Sequence, residues 1–225
     1  MATSYEIDIA LSSDTITALK TQGFSLYAFK AVQSTIQGGA PLVWFKTNNF
    51  LPSTQVVWQE QYQAYISTSQ IISGGAVNAQ NSIDMNLGDT ADVDQYGNLM
   101  SASGGTESAI SVLNQGPQPW TCGISQLTNG VANPMCAIPL NGNMMDVVAP
   151  IERVLLTFAT NTVNTGTVQY KCFSSGVLVD LTAAQTRAVS FDINQGWSWG
   201  SGTWARSILP NASLVPLLIT SDASA

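Results

Sequence analysis

Residues 56–66 read VVWQEQYQAYI, the longest stretch of the chain in which side chains alternate between two faces. A period of two residues is typical of a β-strand. One face carries Trp58, Tyr62 and Ile66 among others, and the second face carries three glutamines followed by Tyr65. Because aromatic and amide side chains occupy both faces, we expect cover on both sides of this strand, from a second sheet or from a partner.

The segments around this strand predict further β-structure and one helix. Residues 5–11 alternate like a strand, residues 12–14 offer N-cap side chains, and Gly23 offers a helix end. Residues 24–32 alternate again. After residue 70, short apolar runs and glycine-containing turns follow each other, and residues 152–160 and 166–173 read as a hairpin.

These patterns predict one all-β domain over residues 1–225. We expect an antiparallel β-sandwich of jelly-roll or lectin-like type, with one short N-terminal helix. The inward positions of the alternating runs predict a core that includes Ile7, Ile9, Leu26, Val43, Phe45, Trp58, Tyr62, Leu155, Phe158, Val189 and Phe191.

The chain is poor in charge. Charged residues make up 9% of its 225 residues, against about a quarter in an average protein, whereas the 45% of hydrophobic residues is ordinary. The surface therefore presents mostly hydroxyl and amide groups, which lose water at lower cost than charges do. Such a surface tolerates contact with another surface, so we expect a non-enzymatic protein that associates with itself as a homo-oligomer, filament or inclusion.

The few charges exclude two classes of partner. The net charge is −7, and the seven lysines and arginines stand singly along the sequence. Nucleic acids and anionic lipid surfaces need several cations grouped together. We therefore expect no nucleic-acid binding and no electrostatic docking to a membrane.

The sequence contains no histidine, which removes most catalytic and metal chemistry. Neither a Ser-His-Asp triad nor an imidazole metal site can form, so we expect no cofactor and no enzyme. Residues 196–200 read GWSWG and match the G-x-S-x-G pattern of α/β-hydrolases, but no histidine is available to activate Ser198. An acid-only mechanism on Glu60 or on residues 84–94 is the remaining enzymatic alternative.

Five aromatic residues are candidate ligand contacts. Trp197, Trp199 and Trp204 lie within eight residues, interleaved with glycine and serine, and Tyr96 and Trp120 join them as candidates. Exposed indoles stack on sugar rings or sit at membrane interfaces. The alternative function is therefore a glycan- or membrane-binding module, lectin-like or pore-forming-toxin-like. Alternate tryptophans of a strand also pack into a core, and the sequence leaves both interpretations open.

Residues 84–97 resemble part of a calcium loop. Asp92 and Asp94 occupy the first and third positions of an EF-hand pattern, with a glycine at the sixth and Asp89 just before them. Tyr96 stands where an oxygen ligand is expected, and Ser103 stands where the pattern has its bidentate glutamate. A hairpin turn at residues 96–98 explains the stretch more simply. We predict no metal site, with Asp89, Asp92 and Asp94 as the one metal candidate.

Three cysteines, Cys122, Cys136 and Cys172, are an odd number, and residues 1–8 carry neither a basic nor an apolar signal-peptide region. We therefore expect three reduced, packed thiols, and a protein that is cytoplasmic or released without a classical signal peptide. A bridge between Cys122 and Cys136 is the alternative.

Overall fold

The computed structural model describes residues 2–221. The chain is 54% strand and 6% helix, and two curled β-sheets pack against each other. The expected all-β sandwich is therefore confirmed. No helix among the described residues has the length and apolar character needed to cross a membrane.

Two helices and eighteen strands follow one another along the described residues. Helix α1 spans Ser13–Thr21 and helix α2 spans Val215–Leu218. The strands are β1 (Ser4–Leu11), β2 (Ser25–Ser34), β3 (Ala40–Pro41), β4 (Phe45–Thr47), β5 (Ser53–Ser67), β6 (Asn81–Met85), β7 (Asp89–Val93), β8 (Leu99–Ser103), β9 (Ile110–Asn114), β10 (Trp120–Thr128), β11 (Val131–Pro134), β12 (Cys136–Leu140), β13 (Met145–Ala159), β14 (Gly176–Asp180), β15 (Thr186–Asp192), β16 (Gly196–Ser198), β17 (Ala205–Ile208) and β18 (Ile219–Ser221).

The first sheet is organised around β5. Its nine described strands run in the order β16-β15-β1-β5-β10-β12-β3, with β6 beside β5 and β11 beside β10. One edge of β5 pairs with β10, whereas the opposite edge pairs with β1 over its first half and with β6 over its second half. The long alternating stretch at residues 56–66 is thus the central strand of this sheet.

The second sheet is organised around β13, which has the same length as β5, 15 residues. One edge of β13 pairs with β2, and its other edge pairs first with β9 and then with β14. The sheet runs β17-β14-β13-β9-β7-β8, while β4 and β18 pair with β2.

Two expectations about strand pairing are wrong. The sheets are not purely antiparallel, because β1 with β15, β2 with β18 and β7 with β9 are parallel pairs. No short turn connects the strands of these pairs, so no hairpin fixes their relative direction. The hairpin expected between residues 152–160 and 166–173 is replaced by the pair of β13 and β14. Residues 161–175 instead cover part of the outer face of the second sheet, where Phe173 packs on Tyr27 and Phe29, whereas Val168 packs with Tyr65 of β5.

Helix α1 begins and ends where the sequence predicts. Ser12 Oγ accepts a hydrogen bond from the Thr15 backbone N–H at 3.1 Å, which caps the first turn. Gly23 has a φ of 71°, a left-handed conformation that favours glycine just beyond a helix. The buried side chains of Thr15 and Leu19 attach the helix to the sandwich.

Every residue predicted for the core is buried. Most lie in one cluster between the sheets, whereas Val43 and Leu155 belong to a second cluster on the outer face of the second sheet. Within the described residues, the second face of β5 is covered only near its end. Gln59 and Gln61 are exposed, whereas Tyr65 and Ser67 are buried, and a short segment that includes Val77 packs over Tyr65. Cover of the remaining part by a partner stays a prediction.

Candidate functional site

The three clustered tryptophans do not form one exposed platform. Each is half-buried and packs against the central core. Trp197, on β16, stacks on Phe158 with ring centroids 5.3 Å apart and an interplanar angle of 18°. Its Nε1 donates a hydrogen bond to the Ser175 carbonyl oxygen at 3.3 Å. For Trp197, packing into the core is therefore the interpretation that the structure supports.

The loop between β16 and β17 carries the other two tryptophans. Trp199 Nε1 donates to the Gly202 carbonyl oxygen at 3.0 Å, which closes the loop. A Cβ on Gly202 would lie 2.0 Å from Trp204 Nε1, so only glycine leaves room for the Trp204 indole. This packing holds Trp204 half-exposed at the start of β17, where the Arg187 guanidinium lies 4.8 Å from its ring centroid.

Tyr96 and Trp120 belong to another part of the molecule. Tyr96 is 75% exposed in the turn between β7 and β8, and β8 is the edge strand opposite β17 in the second sheet. Trp120, at the start of β10, packs under that turn, since a Cβ on Gly97 would lie 2.8 Å from its ring. The five candidate aromatic residues therefore do not form a single site.

The acidic stretch forms a hairpin turn between β7 and β8. Asp94 Oδ1 accepts hydrogen bonds from the backbone N–H groups of Tyr96 and Asn98 at 2.8 and 2.9 Å, and Oδ2 accepts one from Asn98 Nδ2 at 2.8 Å. The bonds from Asn98 do most to hold the pKa of the Asp94 carboxyl below its ordinary value. Asp92 lies on β7, and Asp89 accepts from a neighbouring asparagine instead. Across residues 2–221, no group of three His, Cys, Asp or Glu side chains is placed to hold a metal ion.

A cleft of about 340 Å³ opens beside Trp204. The strand register places Arg206 of β17 opposite Leu178 of β14, and Arg153 of β13 opposite Asp180 of β14. Positions two residues apart along β14 point to the same side, so these side chains share the outer face of the second sheet. We call this site the arginine cleft, and it is lined by Arg153, Leu178, Asp180, Thr203, Trp204, Ala205 and Arg206.

Hydrogen bonds to Asp180 organise the arginine cleft. Arg153 Nη2 donates to Asp180 Oδ2 at 3.1 Å, and both side chains remain about one-third exposed, at 33% and 34%. Arg187 reaches the same place from β15 in the first sheet, where its Nε donates to the Asp180 carbonyl oxygen at 3.3 Å. Partial burial raises the pKa of Asp180, but hydrogen bonds from Thr182 and Arg153 outweigh that effect and hold it below its ordinary value. The carboxyl is therefore ionised at neutral pH.

All three arginines of the chain thus converge on one place. Only one carboxylate lines the cleft, so positive charge is in excess there, in a protein whose net charge is −7. Sequence reasoning missed the site because the three arginines lie far apart along the chain, on β13, β15 and β17. The one sequence feature related to the arginine cleft is that the chain contains only three arginines.

The chemistry of the arginine cleft suits an oxyanion. Guanidinium groups bind carboxylates and sulfates through paired N–H donors, and the face of an indole packs on a sugar ring. Arg206 is exposed and has no carboxylate partner among the described residues, so its donors face solvent. The lining offers neither a nucleophile with a base nor two carboxylates for acid–base catalysis.

A second polar cluster is enclosed in the core. Lys30, on β2, is fully buried, and its Nζ lies 2.5 Å from Glu152 Oε2 on the neighbouring β13. The ammonium lies 4.3 Å from the ring centroid of Trp58 and 5.6 Å from that of Trp44. Burial lowers the pKa of Lys30 to about 8, although the charge of Glu152 acts in the opposite direction. We call this group the lysine cage.

Tyr5 and Glu60 border the lysine cage. The Tyr5 ring stacks on Trp58 with centroids 5.6 Å apart and an interplanar angle of 11°. The Tyr5 hydroxyl donates to Glu60 Oε1 at 3.0 Å, and burial together with this bond raises the pKa of Tyr5 to about 12. Glu60, the candidate acid of the sequence, is thus half-buried and hydrogen-bonded to a tyrosine.

Comparison with known proteins adds no relative. No protein-family model matches the chain, and neither the curated proteins nor the solved structures contain a match to it.

Proposed function

We propose that this chain is a non-enzymatic binding protein whose arginine cleft holds a glycan that bears a carboxylate or a sulfate. The observation that carries the proposal is the convergence of all three arginines on Trp204. The guanidinium groups supply the charge that an anionic group needs, and the half-exposed indole supplies an apolar face for the ring of the sugar.

The three arginines have different roles in the proposed binding. Arg206 is free to meet the anionic group, and Arg153 adds unused N–H donors, since only its Nη2 is bonded to Asp180. Arg187 lies against Trp204 and holds its indole in place.

Calorimetric titration with a matched pair of sugars tests the proposal. Glucuronate-containing or sulfated oligosaccharides are expected to bind, and the neutral oligosaccharides of the same backbone are expected to bind at least tenfold more weakly. Arg206→Gln should reduce affinity for the acidic sugar about tenfold or more, because a hydrogen bond to a charged group contributes about 1.5–3 kcal/mol. Raising the salt concentration should weaken binding further.

The matched control is Lys46→Gln, which removes a positive charge from β4, a strand that contributes nothing to the cleft. Equal binding of acidic and neutral sugars, or an Arg206→Gln variant that behaves like Lys46→Gln, contradicts the proposal. Vesicles of zwitterionic lipid form a further arm of the experiment. Binding to them without any response to sugars would favour the membrane-binding alternative.

Self-association into a homo-oligomer, filament or inclusion is the second candidate function, and the distribution of charge favours it. The outward side chains of β1 and β5 include Glu6 and Asp8, which accept hydrogen bonds from Gln55 and Ser53 at 2.7 and 2.6 Å. In the strands of the first sheet, Arg187 is the only basic residue, and it turns towards Trp204. The outer face of the first sheet is therefore acidic and rich in amides.

The outer side of the second sheet carries four of the seven basic residues of the chain, together with Asp180. Arg153 and Arg206 lie in the cleft, Lys46 lies beside Tyr27 of the outer face, and Lys171 lies in the segment that covers that face. Two complementary faces on opposite sides of one molecule favour head-to-tail contacts, which form open filaments when they do not close into a ring.

Sedimentation velocity over a wide concentration range tests this second candidate. Assemblies that dissociate in salt, and that are lost in both Glu6→Gln/Asp8→Asn and Arg206→Gln variants, would support it. A monomer at every concentration removes it. The two candidates remain separable, since the glycan proposal requires Arg206 but is indifferent to Glu6 and Asp8.

A further inference from the structure

The lysine cage brings an amine and a carboxyl group into contact on two neighbouring strands. Lys30 Nζ lies 2.5 Å from Glu152 Oε2, and the Lys30 side chain is 0% exposed. Groups held together in this way react as though at very high concentration, because the entropy of bringing them together has already been lost on folding.

The surroundings of Lys30 and Glu152 destabilise the charged forms of these side chains. Three aromatic rings, those of Tyr5, Trp44 and Trp58, lie within 5.8 Å of the Lys30 ammonium, measured to the ring centroids. Two opposite charges enclosed by apolar rings have lost the hydration that stabilises them in water. The loss of hydration therefore favours the neutral amine of Lys30, which is its nucleophilic form. The low pKa of Lys30 agrees with this.

Glu152 lies in a β-bulge of β13. Ile151 pairs with Ala31 of β2, but the next paired residue, Lys30, lies opposite Val154, so β13 contains two extra residues at this point. Successive residues of a strand point to opposite faces. Glu152 accordingly points to Lys30 in the core, while the adjacent Arg153 points out to Asp180 in the arginine cleft.

We propose that Lys30 and Glu152 join covalently through a side-chain amide bond that the folded protein forms by itself. The lone pair of Lys30 Nζ attacks Cδ of the protonated Glu152 carboxyl and forms the C–N bond. One carboxyl oxygen then leaves with two protons as water, one from the acid and one from the amine. No oxidant, reductant or further reactant is required, and one amine and one acid yield one amide and one water.

Trp58 acts as a positioning residue. Trp58 Nε1 donates to Glu152 Oε2 at 3.1 Å, which draws electron density from the carboxyl carbon and favours attack on it. Glu60 accepts a hydrogen bond from the Tyr5 hydroxyl beside the cage, and its negative charge opposes the lowering of the Lys30 pKa. The bond would connect β2 to β13, the two strands with the most extensive pairing in the second sheet.

The mass of the intact, denatured protein tests the proposal. We expect a mass lower by about 18 Da than that of the sequence, the mass of the expelled water. Digestion should yield one branched peptide that contains both Lys30 and Glu152, with no cleavage after Lys30. An unmodified mass after prolonged incubation of the folded protein at pH 7–8, with linear peptides for both residues, overturns the proposal.

Two variants serve as controls. Lys30→Arg keeps the positive charge but cannot form this amide, so its mass should equal that of its own sequence. Glu152→Gln expels ammonia instead of water, so its product should have the same mass as the linked wild-type protein. A mass loss that persists in Lys30→Arg would place the modification elsewhere and overturn the assignment. Because the wild-type mass is decisive by itself, the test does not depend on whether either variant folds.

Discussion

Trp204 is the residue on which the proposed binding site depends, and its position is set by a residue without a side chain. A Cβ at position 202 would lie 2.0 Å from Trp204 Nε1, far inside contact distance. The Gly202→Ala variant should therefore displace the indole and weaken binding of the acidic sugar tenfold or more. The melting temperature should fall as well, because the indole also packs against the core. Ser201→Ala, at an exposed neighbouring position, is the control. Unchanged affinity in Gly202→Ala would show that the indole does not contact the ligand.

Asp146 is a buried carboxylate with several hydrogen-bond donors, and no lysine or arginine of residues 2–221 forms an ion pair with it. It accepts bonds from the hydroxyls of Ser34 and Thr35 and from the backbone N–H groups of Thr35 and Ile36, at 2.9–3.2 Å. Burial raises the pKa of Asp146 above its ordinary value, although these bonds oppose the shift. The carboxylate therefore holds residues 34–36 against the start of β13.

Asp146→Ala is expected to destabilise the fold by about 3 kcal/mol or more, because it leaves several buried donors without an acceptor. Chemical denaturation with the free energy of unfolding as readout measures the loss. Asp84→Ala removes an exposed carboxylate that accepts one bond from Gln63, and it should cost less than about 1 kcal/mol. Similar losses in the two variants would refute the structural role of Asp146.

At the scale of elements, the hairpin of β7 and β8 shows how a partial calcium motif can serve to close a turn. The Asp94 carboxylate oxygens accept hydrogen bonds from Asn98 and from the backbone N–H of Tyr96. The sequence spacing alone agrees with a calcium loop and with a turn, and these bonds favour the turn.

Calcium at millimolar concentration is accordingly expected to leave the melting temperature unchanged, since a ligand stabilises a protein only when it binds the folded state. Asp94→Ala should lower the free energy of unfolding slightly, through the loss of the turn bonds. Differential scanning calorimetry measures both effects. A rise of several degrees with calcium that disappears in Asp94→Ala would establish the metal site that we reject.

At the scale of the whole molecule, the three cysteines make the stability of the fold depend on pH. All three are free and buried, as the sequence predicts. Burial raises the pKa of Cys136 to about 12 and raises those of Cys122 and Cys172 as well. An unfolded thiol has a pKa of about 8.5, so the folded state binds these protons more tightly than the unfolded state does.

The resulting stability is fully present below about pH 8.5 and is lost as pH rises towards the folded pKa values. Each thiol should contribute a decline of about 1.4 kcal/mol per pH unit in that window. Because the pKa of Lys30 is lowered to about 8, the unfolded state binds one more proton at Lys30 than the folded state does above that pH. As long as Lys30 is a free amine, this effect cancels the contribution of one thiol. Unfolding by denaturant between pH 8 and 10 measures the slope.

In the Cys122→Ala/Cys136→Ala/Cys172→Ala variant, the free energy of unfolding should decline much less between pH 8 and 10, or even rise. A wild-type free energy of unfolding that stays constant to pH 10 contradicts the burial of the thiols. Thiol titration of the denatured, unreduced protein should find three reactive groups, and a single group would reveal a disulfide and an oxidising environment.

The sequence by itself determined the elements and what each buries. Side chains that alternate with a period of two fixed the inward faces of β1 and β5, and Ser12 and Gly23 fixed the ends of α1. These features depend on neighbours within a few residues along the chain, so local patterns suffice to predict them. The same reasoning identified the core correctly, because each predicted core residue lies on an apolar face that has to be buried.

Only the tertiary structure decided which distant residues meet. The parallel pairing of β1 with β15, the gathering of Arg153, Arg187 and Arg206, and the contact of Lys30 with Glu152 all join residues that lie far apart in sequence. Pairing between distant strands is set by the packing of the whole core and not by any local preference. The arginine cleft and the lysine cage consist of such long-range contacts, and for that physical reason local sequence patterns predict the strands of this protein but not these sites.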